Sequence, residues 1–139
     1  MNDEQTNKIV AALDEFQIET PSWGFADTGT RFGKFLQDGA AIDINDKLSD
    51  AAQVHQLTGC CPSMAVHVLW DFKESQDPLS VKRAAEKLGL KLGAVNPNIF
   101  QDQIYKYGSL CNRDATARKA ALTHILDSVK IAKQISSRY

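Results

Sequence analysis

The run Ser63-Met64-Ala65-Val66-His67-Val68-Leu69-Trp70-Asp71-Phe72 puts an imidazole, an indole and a carboxylate at the point where an apolar strand should end. An imidazole offers both a donor and an acceptor near neutral pH. An indole offers a broad apolar face beside a polar edge. Two further runs share the design, Ile18-Glu19-Thr20-Pro21-Ser22-Trp23-Gly24 and Leu92-Gly93-Ala94-Val95-Asn96-Pro97-Asn98-Ile99-Phe100. Each starts as an apolar strand, finishes in aromatic and polar residues, and is followed by a loop and a helix. In α/β proteins of parallel strands, ligands bind just beyond the carboxyl ends of the strands. Three such ends point to one side of a site for a small polar ligand.

Alternation along Met64 to Leu69 sets Ala65, His67 and Leu69 on one face and Val66 and Val68 on the other. The valines suit helix packing, so His67 is expected to face a cleft or barrel interior. Asp71 lies four residues on, about 13 Å away along an extended chain. The two therefore share an ion only if the chain turns sharply, and hard cations want several converging oxygens. Trp23, Trp70, Phe100 and Tyr105 follow strands and can pack on the C–H faces of a sugar, with nearby polar groups fixing orientation. Gly24 beside Trp23 lets the backbone approach closely.

Glu19, Asp71 and Asp102 are candidate acids or bases, although spacing fixes no pair. His55 and His124 fall in amphipathic helical patterns and read as rim residues. Thr28 to Lys34 lacks the G-x-x-x-x-G-K-[ST] spacing of a phosphate loop. Cys60, Cys61 and Cys111 have no ligand-like spacing and read as reduced thiols.

These residues need elements to carry them. Glu4 to Glu15 reads as a short amphipathic helix with Ile9, Val10, Ala12 and Leu13 as its stripe. Phe16 to Trp23 reads as a strand. Gly24 to Ala41 has little periodicity; connections that long are usually lids, binding loops or disorder, and Phe25, Phe32 and Phe35 argue against disorder. A helix is expected from Asp43 to Leu57, with Ile44, Leu48, Ala51, Ala52, Val54 and Leu57 inward, ending at Thr58-Gly59. Strand Met64 to Leu69 follows. Asp77-Pro78 opens a helix running to Gly89, with Val81, Ala84, Ala85 and Leu88 inward. Leu90 to Val95 is the third strand, and residues 98–114 form a loop. A last helix spans Ala115 to Ile135, with Asp114 as its cap and Leu122, Ile125, Leu126, Val129, Ala132 and Ile135 inward. One helix followed by three βα units predicts an α/β fold with a parallel sheet.

Lysines and arginines (16) nearly cancel aspartates and glutamates (17), and no basic stripe is present, so neither nucleic acid nor an anionic membrane is an expected partner. No apolar run approaches the length of a membrane span, and the first residues are polar. At 139 residues the chain amounts to a single domain at most. A complete eight-unit barrel needs about 250 residues.

Several motifs then become recognisable together: Pro21-Ser22-Trp23-Gly24, Gly29-Thr30-Arg31-Phe32, Asp46-Lys47-Leu48, His67-Val68-Leu69-Trp70-Asp71, Asn96-Pro97-Asn98-Ile99-Phe100 and Tyr105-Lys106-Tyr107-Gly108-Ser109-Leu110. In this order they resemble the N-terminal part of bacterial L-rhamnose isomerases of the broad-specificity sugar isomerase type. The resemblance implies a (β/α)₈ TIM barrel of the xylose-isomerase-like class, with residues 1–139 as its part before strand 4. It also implies interconversion of L-rhamnose and L-rhamnulose in the cytoplasm, by a tetramer that holds a pair of divalent ions such as Mn²⁺. Carried over, His67 matches a substrate-contacting histidine, and Trp23, Trp70 and Phe100 match aromatics lining the pocket. Phe32 matches a loop phenylalanine that reaches a neighbouring subunit's site. The family's metal ligands lie on later strands, so this chain is expected to bind no metal and to be inactive alone. Another sugar isomerase or epimerase of the same barrel class, or a non-enzymic three-stranded binding module, are the alternatives.

Overall fold

Every long helix starts at a side chain that satisfies its free N–H groups. The computed structural model describes residues 2–30, 33–72 and 76–137, with the backbone alone for 28–30, 33 and 34. In helix α1 (Asp3–Asp14), Asn2 and Gln5 form a reciprocal capping box. Asp43 caps α2 (Ile44–Thr58) by accepting from the N–H groups of Asn45 and Asp46 at 2.7 and 3.1 Å. Asp77 caps α4 (Pro78–Lys87), whose first residue is a proline. Asp114 caps α5 (Ala115–Ile135) through the N–H of Thr116 at 2.8 Å. Helix α2 ends at Gly59, whose φ of 73° needs the left-handed freedom of glycine.

Between the helices run strands β1 (Glu19–Pro21), β4 (Ser63–His67) and β5 (Lys91–Asn96), all parallel, in the order β1-β4-β5. The parallel βα alternation read from sequence is therefore the architecture observed. The aperiodic stretch Gly24 to Ala41 contains a feature that sequence did not suggest, an antiparallel pair of β2 (Thr28–Thr30) and β3 (Gly33–Phe35). Its base is tied by Ala41 N–H to Phe25 O at 2.8 Å and Gln37 N–H to the Asp27 carboxylate at 3.0 Å. Strands of three residues are too short for alternation to show.

The register of β5 on β4 is irregular. Ser63 pairs with Lys91 and Met64 with Leu92, but Val66 pairs with Val95 and His67 with Asn96. Ala65 of β4 thus faces two residues of β5, a β-bulge at Gly93-Ala94. The N–H of Ala94 is taken by the Glu19 carboxylate at 3.0 and 3.2 Å, reaching from the far strand. A Cβ added to Gly93 would fall inside that carboxylate, so only glycine leaves it room.

The core lies on the helix side of the sheet: Met64, Val66 and Leu92 meet Ile44, Leu48, Ala51 and Ala52 of α2, Val81 and Ala85 of α4, and Ile135 of α5. Val66 packs with the helices and His67 lies on the other face, as alternation required. Two expected inward stripes shift. Leu57, in the last turn of α2, is 81% exposed. On α5 the buried residues are Ala117, Ala121, Ser128 and Ile135, while Leu122, Leu126 and Val129 are exposed. The small-residue stripe lies about one residue's rotation from the leucine stripe, and it lets the helix sit close. Helix α1 buries no residue; its Ile9, Val10 and Leu13 are exposed. No described helix is long and apolar enough to cross a membrane.

Candidate functional site

Strand β4 stops at His67, and the chain folds at once into a single helical turn, α3 (Val68–Asp71). This corrects the extended path expected to Leu69 and the 13 Å separation with it. The Asp71 carboxylate swings back to accept the His67 N–H at 2.7 Å. Its other partners are the Ser22 hydroxyl and the Lys47 ammonium, the latter at 2.7 Å. Asp71 is 1% exposed and the Lys47 side chain 6%, so this is a buried ion pair whose carboxylate accepts two further hydrogen bonds. Asp71 is therefore the fastener of the turn. Lys47 and Ser22 stand in two of the recognised motifs, but neither has a role that the sequence reading assigned. The available signal was Lys47 lying three residues from Ile44 and four from Ala51, within the inward stripe.

The turn brings together four residues predicted from the strand ends. His67 and Trp70 stack face to face, with centroids 3.7 Å apart and planes 15° from parallel. They come three residues apart across the turn, the spacing at which side chains share one side. Trp23, on the 3₁₀ turn Ser22–Gly24 that follows β1, meets His67 edge-on at 6.4 Å and Trp70 at 6.2 Å. Phe100, beyond β5, meets His67 edge-on at 6.0 Å. All four lie at or just beyond the carboxyl ends of the parallel strands. Asn96 joins them from the end of β5, paired with His67 and donating to Val66 O at 3.4 Å.

His67 is 2% exposed, and neither ring nitrogen has a hydrogen-bond partner among the described residues. His67 is therefore unlike an ordinary core histidine, which a hydrogen bond holds in place. An unpaired buried polar group costs about 1–3 kcal/mol, and such groups cluster where a ligand completes them. Burial holds the His67 pKa below its ordinary 6.5; the Asp71 carboxylate opposes this, and His124 and Lys47 reinforce it. The ring is thus neutral at pH 7, with one donor and one acceptor to offer.

A pH dependence follows. The unfolded chain takes up the proton more readily than the folded one, so this part of the stability is present above 6.5 and is lost as pH falls from there toward the lowered value. Between about pH 7.5 and about pH 5 the urea midpoint should fall more for the unmodified chain than for His67→Gln. Parallel slopes would refute the assignment.

The other expectations fall elsewhere. Phe32 lies outside the described residues. Tyr105 is buried under the loop before α5, away from the ring cluster. That loop is held by Asn112, whose amide donates to Gly108 O at 2.6 Å and whose Oδ1 accepts from Asp114 N–H. Glu19 is committed to the bulge, and Asp102 is exposed. His124 is a half-buried acceptor for Asn98 N–H at 2.8 Å, not a free rim residue. His55 is also half-buried. Among the described residues, no three His, Cys, Asp or Glu side chains gather as an ion site. Asp71 and Glu19 are already engaged with partners of their own.

Parallel βα units bearing an imidazole among aromatic rings at the strand ends define an α/β protein with a site suited to a small polar ligand. The chain is 38% identical over 135 residues to a probable sugar isomerase of Mesorhizobium japonicum. It is 36% identical over 135 residues to a probable sugar isomerase of Rhizobium meliloti. Each alignment covers 94% of this chain but 31% of the relative, so the chain spans less than a third of the length of the curated relatives it matches. No family model matches the chain.

Proposed function

We propose that this chain forms the first three βα units of a (β/α)₈-barrel sugar isomerase acting on L-rhamnose and L-rhamnulose, and that it supplies a wall of the sugar pocket. The observation that carries the proposal is His67, buried among Trp23, Trp70 and Phe100 with neither ring nitrogen partnered among the described residues. A sugar meets both demands of that arrangement. Its hydroxyls supply the donor and acceptor that a neutral imidazole lacks, and its C–H faces pack on indole and phenyl rings. Similarity to probable sugar isomerases along nearly the whole chain supports the class. The motifs from Gly29 to Phe32 and from Tyr105 to Leu110 are what favour L-rhamnose.

Aldose–ketose interconversion moves hydrogen between C1 and C2 of the open sugar, and divalent ions such as Mn²⁺ assist by polarising the substrate oxygens. Among the described residues no cluster suits such ions, so no step is assigned to the carboxylates of this chain. In this reading its role is to hold and orient the sugar and to exclude water. Residues beyond this chain provide the ions, the reacting groups and the rest of a cytoplasmic tetramer, in which Phe32 reaches a neighbouring subunit.

Tryptophan emission of the chain, titrated with L-rhamnose, tests the proposal. A saturable change is expected, because Trp23 and Trp70 border the site. His67→Ala should weaken binding roughly tenfold, the loss of one or two hydrogen bonds. D-xylose should bind more weakly, and the chain with Mn²⁺ should show no turnover. A response absent with L-rhamnose, or unchanged in His67→Ala, would overturn the sugar-binding assignment. A stronger response to D-xylose would overturn the choice of sugar, and turnover would overturn the division of labour.

A further inference from the structure

At the opposite end of β4 from His67, the loop leaving α2 carries adjacent cysteines whose sulfurs lie 3.6 Å apart, in contact but unbonded. The two differ in surroundings. Cys60 is half-buried and Cys61 is buried. Thr58 sits over both, its hydroxyl accepting from Cys60 N–H at 3.5 Å and lying 3.9 Å from Cys61 Sγ. The hydrogen bond from Thr58, then that from Cys61, draws the Cys60 thiol below its ordinary value, while burial pushes the Cys61 thiol up. A more acidic, reachable thiol touching a buried second one is the arrangement of a sensing cysteine with its resolving partner.

We propose that Cys60 is an oxidation-sensitive modification site and Cys61 the thiol that resolves it, with low-molecular-weight disulfides as the co-reactant. The Cys60 thiolate attacks one sulfur of glutathione disulfide, forming a mixed disulfide and expelling one glutathione thiolate. Cys61, giving up its proton, then attacks Cys60 Sγ and expels the second glutathione. Two electrons pass from the cysteine pair to glutathione disulfide, and the two thiol protons end on the two released glutathiones. The sulfurs have only to close from 3.6 Å to a bonded pair. Cα atoms of neighbouring residues are about 3.8 Å apart, below the usual disulfide range of about 4.4–6.8 Å, so the product ring is strained and readily reduced. The modification is therefore reversible. It also reaches the sheet: Cys60 O accepts from Ile18 N–H at 3.0 Å and Pro62 O from Lys91 N–H at 2.9 Å, which ties this loop to the segments carrying β1 and β5.

Glutathione disulfide is the probe, and intact-mass and peptide mapping are the readouts. Cys111→Ser provides the background, because Cys111 is an exposed third thiol. In that background the treated chain should lose two hydrogens, retain no glutathione and return to its starting mass with dithiothreitol. Adding Cys61→Ser should leave one glutathione trapped on Cys60. In the unsubstituted chain, limiting iodoacetamide should label Cys60 roughly tenfold faster than Cys61, a difference that disappears in urea. This last measurement needs no variant to fold. A glutathione retained in the Cys111→Ser chain, or equal labelling of the two thiols in the folded chain, would overturn the proposal.

Discussion

Asp71→Ala should destabilise the chain by about 3–5 kcal/mol, the usual result of stripping one partner from a buried ion pair. Three donors lose their acceptor at once: the Lys47 ammonium, the Ser22 hydroxyl and the His67 N–H. Lys47→Met should cost less, because the remaining carboxylate keeps Ser22 and the backbone amide. Lys47→Met with Asp71→Asn removes both charges while an amide oxygen stays beside the His67 N–H. The pair should therefore be less destabilised than the sum of Lys47→Met and Asp71→Asn alone. Urea unfolding followed by far-ultraviolet circular dichroism gives the three values. Additivity within about 0.5 kcal/mol would mean that the two side chains do not act as a unit. Near-ultraviolet dichroism adds a second readout, since the pair holds the turn on which His67 and Trp70 stack.

The second large effect is expected at Gly93. Gly93→Ala drives a methyl group into the Glu19 carboxylate, which must leave and abandon the Ala94 N–H. Overpacking and an unpaired amide together should cost about 3 kcal/mol. Glu19→Ala loses only the hydrogen bonds, about 1–2 kcal/mol. Joined with Gly93→Ala it should cost little more than Glu19→Ala alone, because the obstruction has gone. A double variant as unstable as the two singles summed would show that the clash is not with Glu19.

The chemistry was more legible than the path of the chain. Trp23, His67, Trp70 and Phe100 stand out because aromatic and polar residues at the ends of apolar runs are visible one run at a time, and parallel strands bring those ends together. The turn after His67 was not visible. It depends on Ser22, 49 residues before Asp71, and on Lys47, 24 before it, and local periodicity carries no trace of such partners. The face of α5 was misjudged for a different reason. Its leucine stripe is the more hydrophobic, but the stripe containing Ala117 and Ala121 allows closer approach to the sheet, so packing distance overrode side-chain size. The caps Asp77 and Asp114 were legible, since each acts within two residues of itself, whereas Asp43, expected inside its helix, is the cap that precedes it.

The bulge in β5 has a consequence for how this segment tolerates a change of length. Leu92 and Val95 both lie alongside β4 residues of the core face, although an odd number of steps separates them. Strict alternation would put them on opposite sides. The extra residue absorbs that change of parity, so Asn96 still arrives beside His67. Loss of Gly93 alone would bring the pairing back into step, with Val95 still opposite Val66 and Asn96 opposite His67. A one-codon gap beyond the bulge, at Val95 or Asn96, would instead reverse the sides of the residues after it. The sheet thus contains one position at which an insertion has already been accommodated and can be undone, and a family tree of these chains would be expected to vary in length there.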